Sequence, residues 1–239
     1  MTGTILNAAG IVLGGVAGLL WRKQLPARTQ VAAKGLLGVF TVYVGLKLTW
    51  TSLGPGLVPT LKQLFIVVLA LTLGRLTGRL LHLQKAMNHA GQYAKQKMAQ
   101  SAPASARPFS EGFITCTVLY CLAPLALLGA LQDGLAGYWQ PLGLKALIDG
   151  LATMAIVSTF GWSVVFAAIP VAAYQGTLTL GAQYLSPWLA HHSLLDSVNA
   201  TAGLLIFCVA LIILELKKIE LADYLPSLLF APLITWLWK

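Results

Sequence analysis

Long apolar runs separated by short polar gaps dominate this chain. They fall at about 3–21, 35–53, 57–81, 112–131, 145–169, 171–189, 197–216 and 222–238. A bilayer core roughly 30 Å thick takes about 20 residues of apolar helix to cross. The pattern therefore predicts an all-α integral membrane protein of about eight transmembrane helices. The stretch from Gly143 to Leu185 is one apolar run too long for a single span, interrupted at Pro170. It is expected to cross twice, or to dip in and return as a re-entrant pair around Pro170. The last run is short and holds Pro226 and Pro232, so a broken or half-inserted helix is expected there.

Basic residues occupy alternate gaps. Arg22, Lys23, Arg28 and Lys34 follow the first run; Arg75, Arg79, Lys85, Lys95, Lys97 and Arg107 lie through and beyond the third; Lys217 and Lys218 follow the seventh. Cytoplasmic loops are the ones enriched in Lys and Arg. Both termini are thus expected in the periplasm, with 22–34, 82–111 and 217–221 in the cytoplasm. Trp50, Trp139, Trp188, Trp236 and Trp238 then fall near the outer face, where indole rings anchor. No basic stretch precedes the first run, which argues for a retained span over a cleaved signal peptide.

The sequence is 57% hydrophobic and 10% charged, with a mean hydropathy of +0.77; soluble domains carry about 25% charged residues. The net charge of +9 sits in juxtamembrane loops, which fits orientation and contact with the lipid bilayer, and no nucleic acid partner is expected. Cys116, Cys121 and Cys208 all lie in apolar runs, away from any disulfide or zinc spacing. His82 and His89 face one side and His191 and His192 the other, so no metal site is expected. There is no nucleophile elbow, P-loop or dinucleotide fingerprint. Neither catalytic residues nor cofactors are expected.

The chain reads as a single transmembrane domain, 1–239. Its one sizeable polar segment is 82–110 between spans 3 and 4: a cytoplasmic helix over 84–100, then a linker rich in Ala, Ser and Pro at 101–108. Two internal echoes appear. ALQDGLAG at 130–137 recurs as ALIDGLAT at 146–153, and NAAG at 7–10 is matched by NATAG at 199–203. Spans 1 and 7 share a direction in this topology, so any duplication would be parallel.

Several stretches carry a family likeness: GTILNAAGI (3–11), LQDGL (131–135), KALIDG (145–150), IPV (169–171) with YQG (174–176), and KKIELADYLPSLL (217–229). In these the chain resembles the YdfK/YqgA-like family of bacterial multi-spanning membrane proteins (domain of unknown function 554). The resemblance covers nearly the whole chain. It implies an inner-membrane location and a shared fold, and the family is described at most as transport proteins. Arg75 and Arg79 stand where an acidic residue is common in the family, and Leu122 and Ala123 replace a more glycine-rich stretch.

Ionisable or amide groups inside a span are functional candidates, because lipid cannot satisfy them. Asp149 lies near the start of the fifth span, with Lys145 one turn earlier; it is either an ion-binding residue or a helix cap with Lys145 as a solvated partner. Ser158, Thr159, Gly161 and Ser163, then Gln175 and Gly176, form a polar line about Pro170, and Asn7 and Asn199 add amides near outer helix ends. Together they outline a passage at the membrane centre, where transporters place broken helices; interhelical hydrogen bonding explains each residue singly. Glu215 is expected to pair with Lys218, and Lys47 to snorkel near Trp50. Gly10, Gly14 and Gly18 on the first span, and Gly74 and Gly78 on the third, are small-residue stripes for helix packing. They serve packing within the subunit or, alternatively, a homo-oligomer seam. The function expected is a membrane transporter or channel for a small ion or polar solute. The alternative is a non-transporting scaffold or sensor acting through its cytoplasmic 82–110 segment.

Overall fold

The structure, a computed structural model, describes residues 1–21, 26–99 and 109–238. Within them the chain is helical, without a strand: α1 (Thr2–Trp21), α2 (Ala27–Thr51), α3 (Leu57–Leu80), α4 (Leu83–Ala99), α5 (Phe109–Leu122), α6 (Pro124–Ala136), α7 (Gln140–Phe160), α8 (Ala168–His191), α9 (Leu195–Ile213) and α10 (Ser227–Leu237). Two 3-10 segments, Gly161–Ala167 and Leu221–Tyr224, lead into α8 and α10. The linker expected at 101–108 lies outside the described residues.

Among the described residues, five helical stretches are long and apolar enough to span a bilayer, with Gln140–His191 (α7 through α8) taken as one continuous stretch, or six when the bent α5–α6 pair is added as a single span. Leu13, Leu20, Leu36, Val58, Leu80 and Leu229 are exposed on the bundle surface, a distribution that water would penalise and lipid satisfies. This is a multi-pass membrane protein.

Glycine sets which helices touch. A Cβ on Gly10, Gly14 or Gly18 would lie 2.6, 2.1 or 2.5 Å from the carbonyl oxygens of Ala146, Gly150 and Met154, so α1 runs parallel to α7 with backbones in contact. Gly45 and Gly203 bring α2 and α9 together in the same way, antiparallel, since Gly38 meets Leu214 and Thr49 meets Ala200. Gly74 and Gly78 receive Ser227 and Asp223, seating α10 and its leading turn on α3. Both predicted stripes are thus occupied within the chain.

Three boundaries differ from the sequence expectation. The run at 112–131 is not straight: α5 and α6 meet at 59°, because Pro124 opens α6 and Ala123 is extended. The long run turns back at Gly161, φ +69°, and not at Pro170. Proline in a first helical turn costs nothing, since its missing N–H has no partner there anyway, whereas Gly161, with φ +69° and ψ −158°, takes a conformation open mainly to glycine and breaks the helical path of α7. α7 also starts at Gln140, five residues before the expected Lys145. The two halves it forms with α8 are antiparallel, as their contacts with α1 show: Gly18 lies against Met154, Gly15 against Val165 and Thr4 beside Thr179.

The copies at 130–137 and 146–153 lie on α6 and α7, which reverse direction through Gly137–Trp139. That echo therefore does not join helices of like direction, as a parallel repeat would require. It reflects like duties. In each copy the Gly admits a neighbouring backbone, Thr179 at Gly134 and Gly10 at Gly150, and the Asp before it turns toward α1.

α4 docks by its start. Asp223 Oδ1 accepts the Gln84 N–H at 2.9 Å and Gln84 Oε1 accepts the Ala222 N–H at 3.0 Å. Lys97 pairs with Glu111 at 2.9 Å near the other end. Glu215 pairs with Lys34 of α2 at 2.5 Å in place of Lys218, because positive φ at Glu215 (57°) ends α9 and turns the chain away.

Candidate functional site

Three helices each contribute a short polar stripe at helical spacing, and the glycine contacts press those stripes together. α1 supplies Thr4 and Asn7, α7 supplies Lys145, Asp149 and Thr153, and α8 supplies Gln175 and Thr179. Residues three or four apart share a helix face, so each helix can turn one polar face inward while the rest stays apolar.

At the centre, Asn7 Nδ2 donates to Gln175 Oε1 at 3.1 Å, and the same amide lies within hydrogen-bonding reach of the Asp149 carboxyl. Asn7 and Gln175 are both 0% exposed. Asp149 and Lys145 form an ion pair on successive turns of α7, with Lys145 only 1% exposed. The Lys145 ammonium also faces the Tyr120 ring of α5, 5.7 Å from its centroid. Thr153 Oγ1 donates to the Asp149 carbonyl at 2.7 Å, so the Tyr120 hydroxyl, 2.8 Å away, is the donor to Thr153. On the other side, Thr179 donates to the Ala130 carbonyl at 3.1 Å and accepts from Thr4 at 3.3 Å.

Asp149 is no cap, for it lies in the third turn of α7. Insertion of one Lys or Asp at a span centre costs about 2.5–3.5 kcal/mol. Pairing the two on one face offsets much of that, since each charge is met without leaving the helix. The pair is enclosed by Asn7, Tyr120 and the polar faces of α1 and α8. Two atoms of the cluster have no partner among the described residues: Asn7 Oδ1 and Gln175 Nε2. One is an acceptor and the other a donor, and both belong to the amide pair that touches Asp149.

Of the residues singled out from sequence, Asn7, Asp149 and Gln175 come together here. Ser163 is buried elsewhere, bonded to the Phe160 carbonyl at 3.0 Å and packed against Gly112 of α5. Ser158 is exposed on the surface of α7, satisfied by the Ala155 carbonyl at 2.7 Å, and Thr159 next to it is half-buried. Asn199 is buried on α9, with Oδ1 unpartnered among the described residues, in the part of the bundle built on α2. Lys145, Tyr120, Thr153, Thr4 and Thr179 complete the cluster and carry weaker sequence signals. The Lys145–Asp149 spacing was visible, but the expected helix start placed Lys145 in solvent.

Asp133, in the first copy of the echo, accepts the Gly3 N–H at 3.0 Å. It caps α1 from another helix, where a carboxylate favours the positive end of the helix dipole. Its neighbour Gln132 is fully buried, with both side-chain polar atoms unpartnered among the described residues. No group of three His, Cys, Asp or Glu among those residues is arranged to hold a metal.

Comparison with known proteins gives the family. The model of the family described as "Protein of unknown function (DUF554)" matches residues 2–236, and the chain belongs to that family. It is similar to "Uncharacterized membrane protein YdfK" of Bacillus subtilis (strain 168), 27% identical over 235 residues, covering 98% of this chain and 95% of that one. It is also similar to "Uncharacterized protein YqgA" of Escherichia coli (strain K12), 29% identical over 237 residues, covering 99% and 97%. No solved structure matches.

Proposed function

We propose that this protein is a transporter or channel of the bacterial inner membrane, and that it moves a small ion or polar solute past the Asn7–Gln175–Asp149 cluster. It crosses the membrane eight times, by α1, α2, α3, the bent α5–α6 pair, α7, α8, α9 and the short α10. Both termini face the periplasm, and α4 lies on the cytoplasmic side.

The observation that carries this reading is the amide pair. A fully buried Asn and Gln bond each other at 3.1 Å between apolar helices, beside a buried ion pair, and still leave one acceptor and one donor unmet among the described residues. A group built only to glue helices would gain most by satisfying every polar atom, since an orphan costs about 1–3 kcal/mol. An acceptor and a donor left open on one amide pair are what a polar solute needs to shed its hydration shell. The cluster is closed in this conformation. A cleft of about 530 Å³ reaches the neighbouring face of α7, at Ile148, Leu151 and Ala152, from between α2 and α9. Movement of α7 about Gly161 would join the cleft to Asp149, the alternating exposure that transport requires.

Flux into proteoliposomes across a panel of ions and small metabolites tests this. The wild-type protein should carry at least one of them above the empty-liposome rate, and Gln175→Leu should abolish that flux while the protein stays folded. Absence of flux across the panel, or flux unchanged in Gln175→Leu, rejects a passage through this cluster.

A further inference from the structure

A second site lies at the opposite end of the chemistry, among cations. A cleft of about 720 Å³ opens between α3, α9, the start of α4 and the turn that leads into α10. Arg75, Lys217 and Lys218 line it, and among the described residues none of the three forms an ion pair. Glu220, the one carboxylate on its wall among the described residues, is engaged by Arg79 at 3.4 Å. Arg75 is held in place by its guanidinium lying 5.4 Å from the centroid of the Tyr224 ring.

The cleft changes character along its length. Lys217 and Lys218 stand at the end beyond α9, and Arg75 lies five residues before the end of α3. Going further into the bundle, the walls become Leu71, Leu204 and Leu205. Arg and Lys at a helix end ordinarily send their charges out to the membrane interface. Here three charges from two separate chain segments converge on one recess whose continuation is apolar. A free anion would use the cations and gain nothing from the leucines, whereas a lipid uses both. A phosphate accepts several hydrogen bonds from Arg and Lys at once, and an acyl chain takes the apolar end.

We propose that this cleft binds a single anionic phospholipid, its phosphate held by Arg75, Lys217 and Lys218 and its acyl chain lying along Leu71 and Leu204. The site stands apart from the Asn7–Gln175 cluster and does not depend on transport.

Native mass spectrometry of the detergent-purified full chain, titrated with phosphatidylglycerol or with phosphatidylcholine of the same acyl chains, reads the binding directly. One phosphatidylglycerol should be retained at concentrations where phosphatidylcholine is not. Arg75→Gln with Lys217→Gln should raise the concentration needed by about tenfold or more, since it removes two of the three cations that face the phosphate. Arg28→Gln with Lys95→Gln removes the same charge elsewhere and should leave binding unchanged. The conservative pair Arg75→Lys with Lys217→Arg should retain it, which separates loss of charge from loss of fold. Equal binding of the two lipids, or equal loss in the Arg28/Lys95 variant, overturns the site. Displacement of the lipid by inorganic phosphate at comparable concentration overturns the lipid as its occupant.

Discussion

Asn7 and Gln175, 168 positions apart in sequence, form a hydrogen bond of 3.1 Å with neither side chain exposed. The bond ties α1 to α8 inside apolar surroundings, where an unmet amide has no water to turn to. Gln175→Leu should therefore destabilise the protein by about 1–3 kcal/mol, because the Asn7 amide loses its acceptor. Asn7→Leu combined with Gln175→Leu should recover much of that loss. Thermal unfolding of the single and double variants in one detergent measures the coupling; simple additivity would show that the two residues do not depend on each other.

The Lys145–Asp149 pair predicts a different asymmetry. Lys145→Ala leaves a carboxylate buried without its cation and should cost about 3–5 kcal/mol. Asp149→Asn keeps the shape and one hydrogen-bond acceptor for Lys145, so folding should survive better. If Asp149 takes part in ion movement, flux in Asp149→Asn should fall and lose its pH dependence. Folded protein with full, still pH-dependent flux would assign the pair to architecture alone.

What the sequence disclosed depended on how each residue meets the membrane. Asn7, Asp149 and Gln175 stood out because an amide or carboxyl inside an apolar run has no cheap environment. Ser158 and Thr159 looked alike on paper and lie away from the cluster, since a hydroxyl can satisfy itself on its own helix, as Ser158 does with Ala155. Lys145 was hidden by a boundary: hydropathy starts the run there, whereas the helix starts at Gln140. Pro170 looked like the break, yet the chain turns at Gly161, where a positive φ needs no side-chain signal. The glycine stripes were legible as packing surfaces, but their partners, carbonyls on α7 and the turn at Asp223, follow only from the tertiary fold.

Those partners make a steric prediction. A Cβ on Gly14 would meet the Gly150 carbonyl at 2.1 Å, backbone against backbone, with no flexible side chain to yield. Gly14→Leu should cost about 3 kcal/mol or more. Gly35 and Gly91 have open space around the same position, and Gly35→Ala should be neutral or stabilise slightly, by up to about 1 kcal/mol of helix propensity. Folded yield and melting temperature compare the two; equal tolerance at Gly14 would exclude the close α1–α7 contact.

Lys34 beside Glu215 draws the Glu215 carboxyl below its ordinary value of 4.5, chiefly through their hydrogen bond. A depressed folded-state value stabilises the native state above the unfolded pKa, and that contribution fades as pH falls through the folded one. Lys34→Gln should move the Glu215 titration back up toward 4.5. Because both side chains are exposed, the effect on stability should be small and weaken with salt. A carboxylate-resolved NMR titration in micelles compares the two proteins, and no movement of Glu215 would break the assignment of the pair.

The orientation rests on the basic residues, and it can be tested without knowing what the protein carries. In a background with Cys116, Cys121 and Cys208 replaced, Thr2→Cys places a thiol at the start of α1 and Gln96→Cys places one on α4. The Lys/Arg bias assigns the first to the periplasm and the second to the cytoplasm. An impermeant thiol reagent added to intact cells with a permeabilised outer membrane should label the residue at position 2 and spare the one at 96, until the inner membrane is also opened. The helix order then requires an odd number of crossings between them, which α1, α2 and α3 supply. Labelling of 96 alone would invert the protein. Labelling of both from outside would remove a crossing from that count, and with it the proposed eight-span path.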